Sequence, residues 1–182
     1  LSATDEAARQ AVVTDIEQIK TVISQLMHNA RTNFGEDPVT TDLNDLLAAI
    51  AERQAQLGRT LAFAASALPT LALRPRALNR AIGNLIDNAR KYGGGEISLA
   101  ASVHPKEIWI DVRDHGPGIP ENEAERLKRP FTRLDSARSN ASGTGLGLAI
   151  VERIARLHDG HLELLPNPGG GLLARLVMPL RG

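Results

Sequence analysis

The chain has 182 residues, 42% of them hydrophobic, and its 21 Lys and Arg residues balance 21 Asp and Glu residues. This balance excludes a general electrostatic attraction to nucleic acid or to an anionic membrane, and the absence of cysteine excludes disulfides and thiolate metal sites. The longest apolar region, residues 60–73, is too short to span a bilayer and is interrupted by Pro69.

The first predicted element is a helix over residues 1–31, a stretch without Gly or Pro whose apolar residues recur at helical spacing. The spacing alternates between four and three residues, as in a coiled coil or a helix bundle. The residues concerned are Val12, Ile16, Ile19, Ile23, Leu26 and Ala30. A single helix cannot bury such a row, so we expect partner helices. The alternative is an amphipathic helix that packs on the following domain.

A polar break at residues 32–38 contains Gly and Pro and predicts a boundary between two domains, 1–37 and 38–182. Alternating and helical patterns follow it. We predict strands at 39–42, 60–65, 70–73, 96–103, 107–113, 161–165 and 172–179, and helices at 44–57, 76–92, 121–128 and 149–157. Two hairpins are expected, one that turns at residues 104–106 and one around residues 167–171. Mixed helices and hairpins indicate an α+β fold, a two-layer α/β sandwich, rather than a doubly wound parallel sheet.

The predicted helix at 76–92 has two distinct stripes. Its core stripe consists of four apolar residues, Leu78, Ile82, Leu85 and Ala89. A second, polar stripe of Asn84, Asn88 and Lys91 falls on another face of the same helix. A solvated surface is the ordinary explanation of such a face. Asparagine is, however, a poor helix former, and two asparagines one turn apart in an otherwise apolar helix suggest a site.

The segment DHGPGI at residues 114–119 directly follows a predicted strand. It is either a simple turn, which favours Asp, Gly and Pro, or a ligand site. An ionised Asp114 only accepts hydrogen bonds, so it can bind the amine of adenine but is repelled by the carbonyl that guanine carries there. The glycines would let a planar ligand lie against the backbone.

The segment SGTGLGL at residues 142–148 is a third candidate site. Glycines that precede a helix can present backbone amides and the positive end of the helix dipole to phosphate groups. The stretch lacks the Gly-Lys-Ser/Thr of a Walker loop and follows no buried strand, so it can equally be a plain helix cap. We expect the following helix to bury a stripe of Leu146, Ile150, Ile154 and Leu157.

Four segments together resemble the boxes of the sensor histidine kinases of two-component systems, in the family's order and spacing. They are NLIDNARKY (84–92), DHGPGI (114–119), PFTRLDSAR (130–138) and GTGLGLAIV (143–151), which match the N, first glycine, F and second glycine boxes. The resemblance covers residues 38–181, and its F box and second glycine box are particularly similar to those of the osmosensing members. It implies the Bergerat sandwich of the GHKL ATPases, preceded in residues 1–37 by the second helix of a dimerisation and histidine-phosphotransfer bundle.

The resemblance implies ATP and Mg²⁺ as cofactors, and it assigns one group of residues to the nucleoside. Asp114 would bind the adenine amine. Gly116 and Gly118 would let the adenine approach the backbone, with Ile119 beside the ring. Tyr92 would pack along the nucleotide.

The resemblance assigns a second group of residues to the phosphates. Asn88 would hold the Mg²⁺ that bridges them, with Asn84 close by, in keeping with the few protein ligands that Mg²⁺ takes. Lys91 would neutralise phosphate charge, and either Arg133 or Arg138 would reach the γ-phosphate. The second glycine box would close over the nucleotide and present backbone amides to it. Its residues are Gly143, Thr144, Gly145, Leu146, Gly147 and Leu148.

Two features differ from the family's pattern. Asn84 occupies the position at which ATP-hydrolysing relatives carry a glutamate base. Its identity favours transfer to histidine over hydrolysis, because a neutral imidazole needs no base. None of the five histidines lies in the family's acceptor motif, His-Asp/Glu-Leu-Arg-x-Pro. We therefore expect a fragment that binds Mg-ATP but cannot phosphorylate itself, with the acceptor histidine outside this chain.

The resemblance also implies a cellular setting. The parent protein would be a homodimer through its amino-terminal bundle helix, anchored in a bacterial inner membrane by upstream segments, with this portion in the cytoplasm. Its phosphoryl group would pass to the receiver domain of a response regulator. Two alternatives stay open. One is a serine kinase of the anti-sigma-factor type, which would not need the amino-terminal row of apolar residues. The other is a nucleotide-binding or dimerisation module that transfers nothing.

Overall fold

A computed structural model describes residue 19 and residues 36–64, 66–134 and 144–180. By its contacts the chain divides into two units, Leu1–Glu36 and Asp37–Gly182, and every element described below belongs to the second. The helix predicted over residues 1–31 lies outside the described residues, except for Ile19, which is helical. The assignment of residues 1–37 to a dimerisation bundle therefore stays a prediction.

The elements of the second unit follow the predicted order closely. They are β1 (Val39–Asp42), α1 (Leu43–Gln56), β2 (Ala62–Ala64), β3 (Thr70–Leu73), α2 (Pro75–Tyr92), β4 (Ser98–Val103), β5 (Glu107–Arg113), α3 (Ala124–Leu127), α4 (Gly147–Leu157), β6 (His161–Pro166) and β7 (Leu172–Pro179). The predicted helix at 121–128 is in fact a 3₁₀ turn, Glu121–Glu123, followed by the single turn of α3. No helix in the described ranges is long and apolar enough to cross a membrane.

The strands form one large sheet and one small one. The large sheet has the order β2-β4-β5-β7-β6, in which β2 is parallel to β4 and the other neighbours are antiparallel. In the small sheet β1 pairs antiparallel with β3. The predicted strand at 60–65 shortens to β2 because only three of its residues pair with β4. The two predicted hairpins, β4–β5 and β6–β7, are confirmed.

One hydrophobic core lies between the large sheet and the helices, which makes the fold two-layered, as predicted. Alternate residues of the strands supply one side of it, among them Leu99, Ile110 and Leu176, and α1 contributes Leu47 to the other. Among the described residues the large, fully buried side chains are all Leu or Ile, whereas Tyr92 and Phe131 are exposed. The α+β class is therefore confirmed, and its core is aliphatic.

Helix α2 crosses this core and carries the candidate polar stripe. Pro75 is its first residue, where the missing N–H costs nothing, and Gly93 follows its end. The predicted core stripe is confirmed, because Leu78, Ile82, Leu85 and Ala89 are each at most 5% exposed. Burying this stripe fixes the rotation of α2 and leaves the asparagines on a partly open face.

The predicted stripe of helix α4 is confirmed in part. Leu146 and Ile154 are buried as predicted, although Leu146 precedes the first helical residue, Gly147. Ile150 and Leu157 are only half-buried, and the other buried residues of the helix are Val151 and Ala155.

The outer face of the large sheet carries a network of charged side chains around Asp111. Arg175 binds this carboxylate through two nitrogens, Nε at 2.8 Å and Nη2 at 3.1 Å, and Arg113 contacts it at 2.7 Å. The hydrogen bonds that Arg175 donates to Asp111 raise the pKa of Arg175. The guanidinium of Arg175 also lies 3.9 Å from the centre of the Trp109 ring. On this outer face of the sheet the side chains therefore pack on one another.

Asp42 caps helix α1, and its removal provides a simple test of the fold. Its carboxylate accepts hydrogen bonds from the backbone N–H of Asn44 at 2.8 Å and of Asp45 at 3.2 Å. Asp42→Ala should lower the free energy of unfolding by about 1 kcal/mol, because two amides at the helix start lose their acceptor. Urea denaturation measures the change. Asp42→Asn keeps an acceptor and should stay close to the unmodified chain, and an equal loss in both variants would contradict the capping role.

Candidate nucleotide-binding site

The N box and the second glycine box meet in the structure. Asn84 and Asn88 are half-buried on α2, one turn apart. A Cβ at Gly147 would lie 3.5 Å from both Nδ2 and Oδ1 of Asn88 and 3.9 Å from Oδ1 of Asn84. The backbone at the start of α4 thus lies against the two amides, although Gly147 is far from them in sequence. This arrangement brings amide oxygens beside the unpaired N–H groups of a helix N-terminus.

Asp114 has a buried carboxylate with one oxygen fixed by the backbone. The residue is 5% exposed, and its Oδ1 accepts hydrogen bonds from the N–H of Gly116 at 2.9 Å and of Leu172 at 3.1 Å. Within the described part of the chain, no group donates to Oδ2. One oxygen therefore holds the carboxylate in place, and the other can accept a hydrogen bond from a ligand.

The loop after β5 packs directly on the end of α2. A Cβ at Gly116 would lie 2.5 Å from Cα of Gly93, and a Cβ at Gly93 would lie 2.5 Å from Cβ of Asp114. Both glycines are required by this backbone contact, since no larger residue fits. Gly118 has φ +70°, and a Cβ there would lie 3.0 Å from the carbonyl oxygen of Gly171. The approach of Gly116 and Gly118 to adenine stays a prediction, whereas their close packing on the protein's own backbone is observed.

Helix α2 connects these two parts of the site. Asn84 and Asn88 face Gly147, and the helix ends at Gly93 against Asp114. Lys91 and Tyr92, in its last turn, are exposed, and Nζ of Lys91 lies 5.2 Å from the centre of the Tyr92 ring. Ile119 is half-buried and packs against the core.

The F box is joined to the second glycine box by a backbone hydrogen bond. The N–H of Phe131 donates to the carbonyl oxygen of Gly145 at 2.9 Å. Phe131 has φ +63° and is 58% exposed, an unusual conformation for a residue with a side chain. Gly145 has φ +68°, and a Cβ there would lie 2.9 Å from the carbonyl carbon of Phe131.

The remaining predicted site residues are distributed as follows. Arg133 and Leu148 are half-buried, Leu146 is buried, and the carbonyl of Arg133 accepts a hydrogen bond from Arg126 at 3.3 Å. Thr144 is half-buried. Arg138 and Gly143 lie outside the described residues. The choice between Arg133 and Arg138 for the γ-phosphate therefore stays open.

Two histidines, His158 and His104, make contacts with other residues of the domain. His158 is 9% exposed, and its Nδ1–H donates to the carbonyl of Ile154 at 2.9 Å while its Nε2 accepts from the N–H of Arg74 at 3.1 Å. His104 stacks on Trp109 with 3.5 Å between ring centres. His28 lies outside the described residues. The described part of the chain contains no group of three or more His, Cys, Asp or Glu residues that could hold a metal ion by itself.

Sequence reasoning missed the contribution of the loop between β6 and β7. Asn167 is 7% exposed, and its side-chain Nδ2 donates to the carbonyl oxygen of Asp114 at 2.8 Å. Gly171 lies so close to Asp114 that a Cβ there would overlap the same carbonyl oxygen. The segment NPGGG at residues 167–171 carries the signal, because consecutive glycines indicate close backbone approach, but a hairpin turn explains the same residues.

The family model described as "Histidine kinase-, DNA gyrase B-, and HSP90-like ATPase" matches residues 74–182. The chain belongs to this ATPase family. The match includes α2, α4 and the loop that carries Asp114, which are the elements that meet in the candidate site. The predicted kinship with sensor histidine kinases, the GHKL-type fold and ATP as the nucleotide are thereby confirmed.

Proteins similar to this chain include sensor kinases and isolated domains of such kinases. The chain is 34% identical over 179 residues to the sensor histidine kinase GtrS of Pseudomonas aeruginosa, covering 98% of this chain and 37% of GtrS. It thus spans little more than a third of that relative's length. The ATP-binding domain of PrrB from Mycobacterium tuberculosis is 30% identical, with a TM-score of 0.67 and coverage of 80% of this chain and 99% of that domain.

The histidine kinase domain of the Escherichia coli osmosensor EnvZ is also similar to this chain. The two are 36% identical, with a TM-score of 0.60, over 80% of this chain and 91% of that domain. The similarity to an osmosensor agrees with the expectation from the last two boxes.

Proposed function

We propose that the chain is the ATP-binding, catalytic part of a two-component sensor histidine kinase. It would transfer the γ-phosphoryl group of Mg-ATP to a histidine outside this chain, from which the group passes to an aspartate of a response regulator. The observation that carries the proposal is the position of Gly147, where an added Cβ would lie within 3.9 Å of the side chains of both Asn84 and Asn88. It combines amide oxygens and helix-terminal N–H groups in one place, as a polyphosphate with its cation requires.

Asp114 is proposed to select adenine. Its Oδ1 is held by two backbone amides, so Oδ2 would meet the ligand in a fixed position. A carboxylate oxygen accepts a hydrogen bond from the 6-amino group of adenine and is repelled by the 6-carbonyl of guanine. Ile119, Gly116, Gly118 and Tyr92 would surround the base and sugar. The site would therefore prefer ATP over GTP.

The phosphate end is proposed to stabilise charge and to position the nucleotide. Lys91 is exposed beside Tyr92 and would approach the triphosphate, and Arg133 or Arg138 would meet the γ-phosphate. The segment from Gly143 to Leu148 would present backbone N–H groups. Phosphoryl transfer depends mainly on such positioning and charge stabilisation. A neutral imidazole can attack with its own lone pair, so Asn84 would need no carboxylate neighbour to remove a proton.

Asn88 and Asn84 fit a Mg²⁺ ion that arrives with the nucleotide. Both are neutral amides that can each offer one oxygen, and Gly147 leaves space beside them. Bound there, Mg²⁺ would supply charge neutralisation between the phosphate groups. Because Asn84 and Asn88 offer neutral oxygens, the triphosphate itself must provide most of the attraction for the cation.

This charge argument predicts no independent magnesium site. Titration of the chain with Mg²⁺ alone should give no binding heat at millimolar concentrations, whereas Mg²⁺ should strengthen binding of a non-hydrolysable ATP analogue. Calorimetry measures both. A control variant, Asn88→Ala, should lose the Mg²⁺-dependent part of the nucleotide affinity. Tight binding of Mg²⁺ without nucleotide would contradict the assignment.

The setting of the parent protein is proposed from the relatives. Its amino-terminal helix would take part in a homodimeric bundle, and its partner would be a response regulator with a receiver domain. Upstream segments would anchor it in the membrane and leave this portion in the cytoplasm. These proposals rest on the sensor kinases to which the chain is similar.

A transfer assay tests the proposed function. The chain is mixed with γ-labelled ATP, Mg²⁺ and a separate domain that contains an acceptor histidine in the family motif. Label should appear on the acceptor domain in an acid-labile, base-stable form and never on the chain alone. Label stable to acid, on serine, would favour a kinase of the anti-sigma-factor type. Nucleotide binding without any transfer to several acceptor domains would favour a module that performs no chemistry.

A further inference from the structure

The loop between β6 and β7 contains one buried side chain among exposed neighbours. Asn167 is 7% exposed, whereas Pro166, Pro168, Gly169 and Gly170 are exposed. Asparagine in a hairpin loop ordinarily faces solvent, and burying its amide is costly unless each polar group finds a partner. The burial of Asn167 therefore has a specific cause in its contacts.

Both N–H groups of the Asn167 amide can be accounted for by carbonyl oxygens. Nδ2 donates to the carbonyl of Asp114 at 2.8 Å and to the carbonyl of Gly170 at 3.1 Å. The loop is closed further by the N–H of Asn167, which donates to Gly171 at 3.0 Å, and by the N–H of Gly170, which donates to Asn167 at 2.9 Å. A side chain without amide donors could not make this pair of bonds.

Asp114 is bound at three atoms by this loop and by Leu172, the first residue of β7. Its carbonyl accepts from Asn167, its N–H donates to the carbonyl of Leu172 at 3.0 Å, and its Oδ1 accepts from the N–H of Leu172 at 3.1 Å. Gly171, with φ +99°, lies against the same residue, because a Cβ there would be 2.6 Å from the carbonyl carbon of Asp114. The loop thus holds the backbone carbonyl of Asp114, and the start of β7 holds its N–H and its carboxylate.

We infer that Asn167 is a positioning residue for the carboxylate that reads adenine. The inference rests on the proposed function, in which Oδ2 of Asp114 meets the 6-amino group. A hydrogen bond to a fixed acceptor is lost when that acceptor turns by a few tens of degrees. By holding the carbonyl of Asp114, Asn167 limits rotation of this residue and so determines where Oδ2 points. The β6–β7 loop then contributes to nucleotide selection without touching the nucleotide.

Replacing Asn167 tests the inference through base discrimination. Asn167→Asp has the same shape but directs oxygens at the two carbonyls, and Asn167→Ala removes the amide without adding charge. The full chain and each variant are titrated with the Mg²⁺ complex of a non-hydrolysable ATP analogue, and with the same analogue carrying unsubstituted purine, which lacks the 6-amino group. We expect both variants to bind the adenine analogue about tenfold or more weakly. Their preference for adenine over purine should shrink accordingly.

Two controls separate the failure of this inference from the failure of the proposed function. Asn79→Asp makes the same chemical change at an exposed asparagine and should bind like the unmodified chain. Asp114→Asn should lose the preference for adenine. If the unmodified chain does not bind, or if Asp114→Asn keeps that preference, the proposed function and the inference both fail. If Asp114→Asn behaves as proposed but Asn167→Asp and Asn167→Ala keep the preference, or weaken both analogues by the same factor, only the inference is overturned.

A measurement on the unmodified chain covers the case in which the Asn167 variants do not fold. The side-chain amide protons of Asn167 are followed by NMR during addition of the ATP analogue with Mg²⁺, and separately during addition of tripolyphosphate with Mg²⁺. The resonances should move with the nucleotide, because its base engages Asp114, and stay in place with tripolyphosphate. No movement with saturating nucleotide, or equal movement with both ligands, would overturn the inference.

Discussion

Asp114→Asn is expected to remove adenine recognition while leaving the domain folded. The oxygen of the asparagine can still accept the hydrogen bonds that Gly116 and Leu172 donate, at 2.9 and 3.1 Å in the unmodified chain. The new amide nitrogen then occupies the position of Oδ2. It faces the 6-amino group, and because both groups are hydrogen-bond donors, no bond can form between them. Loss of a charge-assisted hydrogen bond and the desolvation of both donors should cost about 2–4 kcal/mol, or about 30- to 1,000-fold in Kd.

Calorimetric titration with a non-hydrolysable ATP analogue and Mg²⁺ measures this loss. Asp87→Asn is the matched control. It makes the same Asp-to-Asn change at a different place, on α2, where the side chain of Asp87 is 70% exposed. It should bind like the unmodified chain. Thermal unfolding of the Asp114→Asn protein should stay cooperative. Retained affinity in a folded Asp114→Asn variant would remove Asp114 from the base-binding site.

Gly171→Ala is expected to have a large effect on stability, and the neighbouring glycine provides its control. Gly170 and Gly171 have φ +103° and +99°, a region that L-residues rarely adopt, so alanine at either position should cost about 1–3 kcal/mol of backbone strain. Around Gly170 the space within 4 Å of an added Cβ is empty. At Gly171 the Cβ would overlap the carbonyl of Asp114 and lie 2.7 Å from Cα of His115.

The difference between the two alanine variants isolates the clash from the strain. Gly171→Ala should be less stable than Gly170→Ala by about 1–3 kcal/mol, because the loop must move away from Asp114. Urea unfolding of both variants measures the difference. Nucleotide affinity should fall in Gly171→Ala and stay nearly unchanged in Gly170→Ala. Equal stabilities would show that the loop can move away from Asp114 at no cost in free energy, and that its packing on Asp114 is not tight.

Much of the fold could be predicted because its elements are local patterns. The core stripe of α2, which includes Ile82 and Leu85, follows from helical spacing, and the hairpin of β4 and β5 follows from alternation around a turn. Pairing between distant strands could not be predicted. The strands at 60–65 and 70–73 are neighbours in sequence, yet β2 joins β4 and β3 joins β1. Contacts over long separations decide such pairing.

The buried face of α4 shows a second limit of periodicity. Ile150 and Val151 are both apolar, so composition alone cannot decide which of them faces the core. In the structure Val151 is fully buried and Ile150 is half-buried. Sequence spacing therefore predicts the helix and two of its buried residues, Leu146 and Ile154, but leaves the rest of its buried face ambiguous.

Sequence reasoning found the candidate residues whose type suits a ligand. It did not find the residue that holds one of them in place through a backbone hydrogen bond. Asp114, Asn84 and Asn88 stood out because a carboxylate and two helical asparagines suggested ligands. Asn167 did not, because its partner is a backbone carbonyl on a loop 53 residues away in sequence. A carbonyl has no sequence signature, so a residue that binds one cannot be distinguished from an ordinary turn residue.

The two outer strands of the large sheet offer little unpaired backbone to another chain. β2 has only three residues, and β6 ends at Pro166, which has no N–H to donate. His161 and Glu163 on β6 add polar, ionisable side chains to that edge. Short edges, proline and charge are the means by which natural sheets avoid edge-to-edge aggregation. Two copies of this domain held close together, as in the proposed dimer, could therefore reach a high local concentration without their sheets merging.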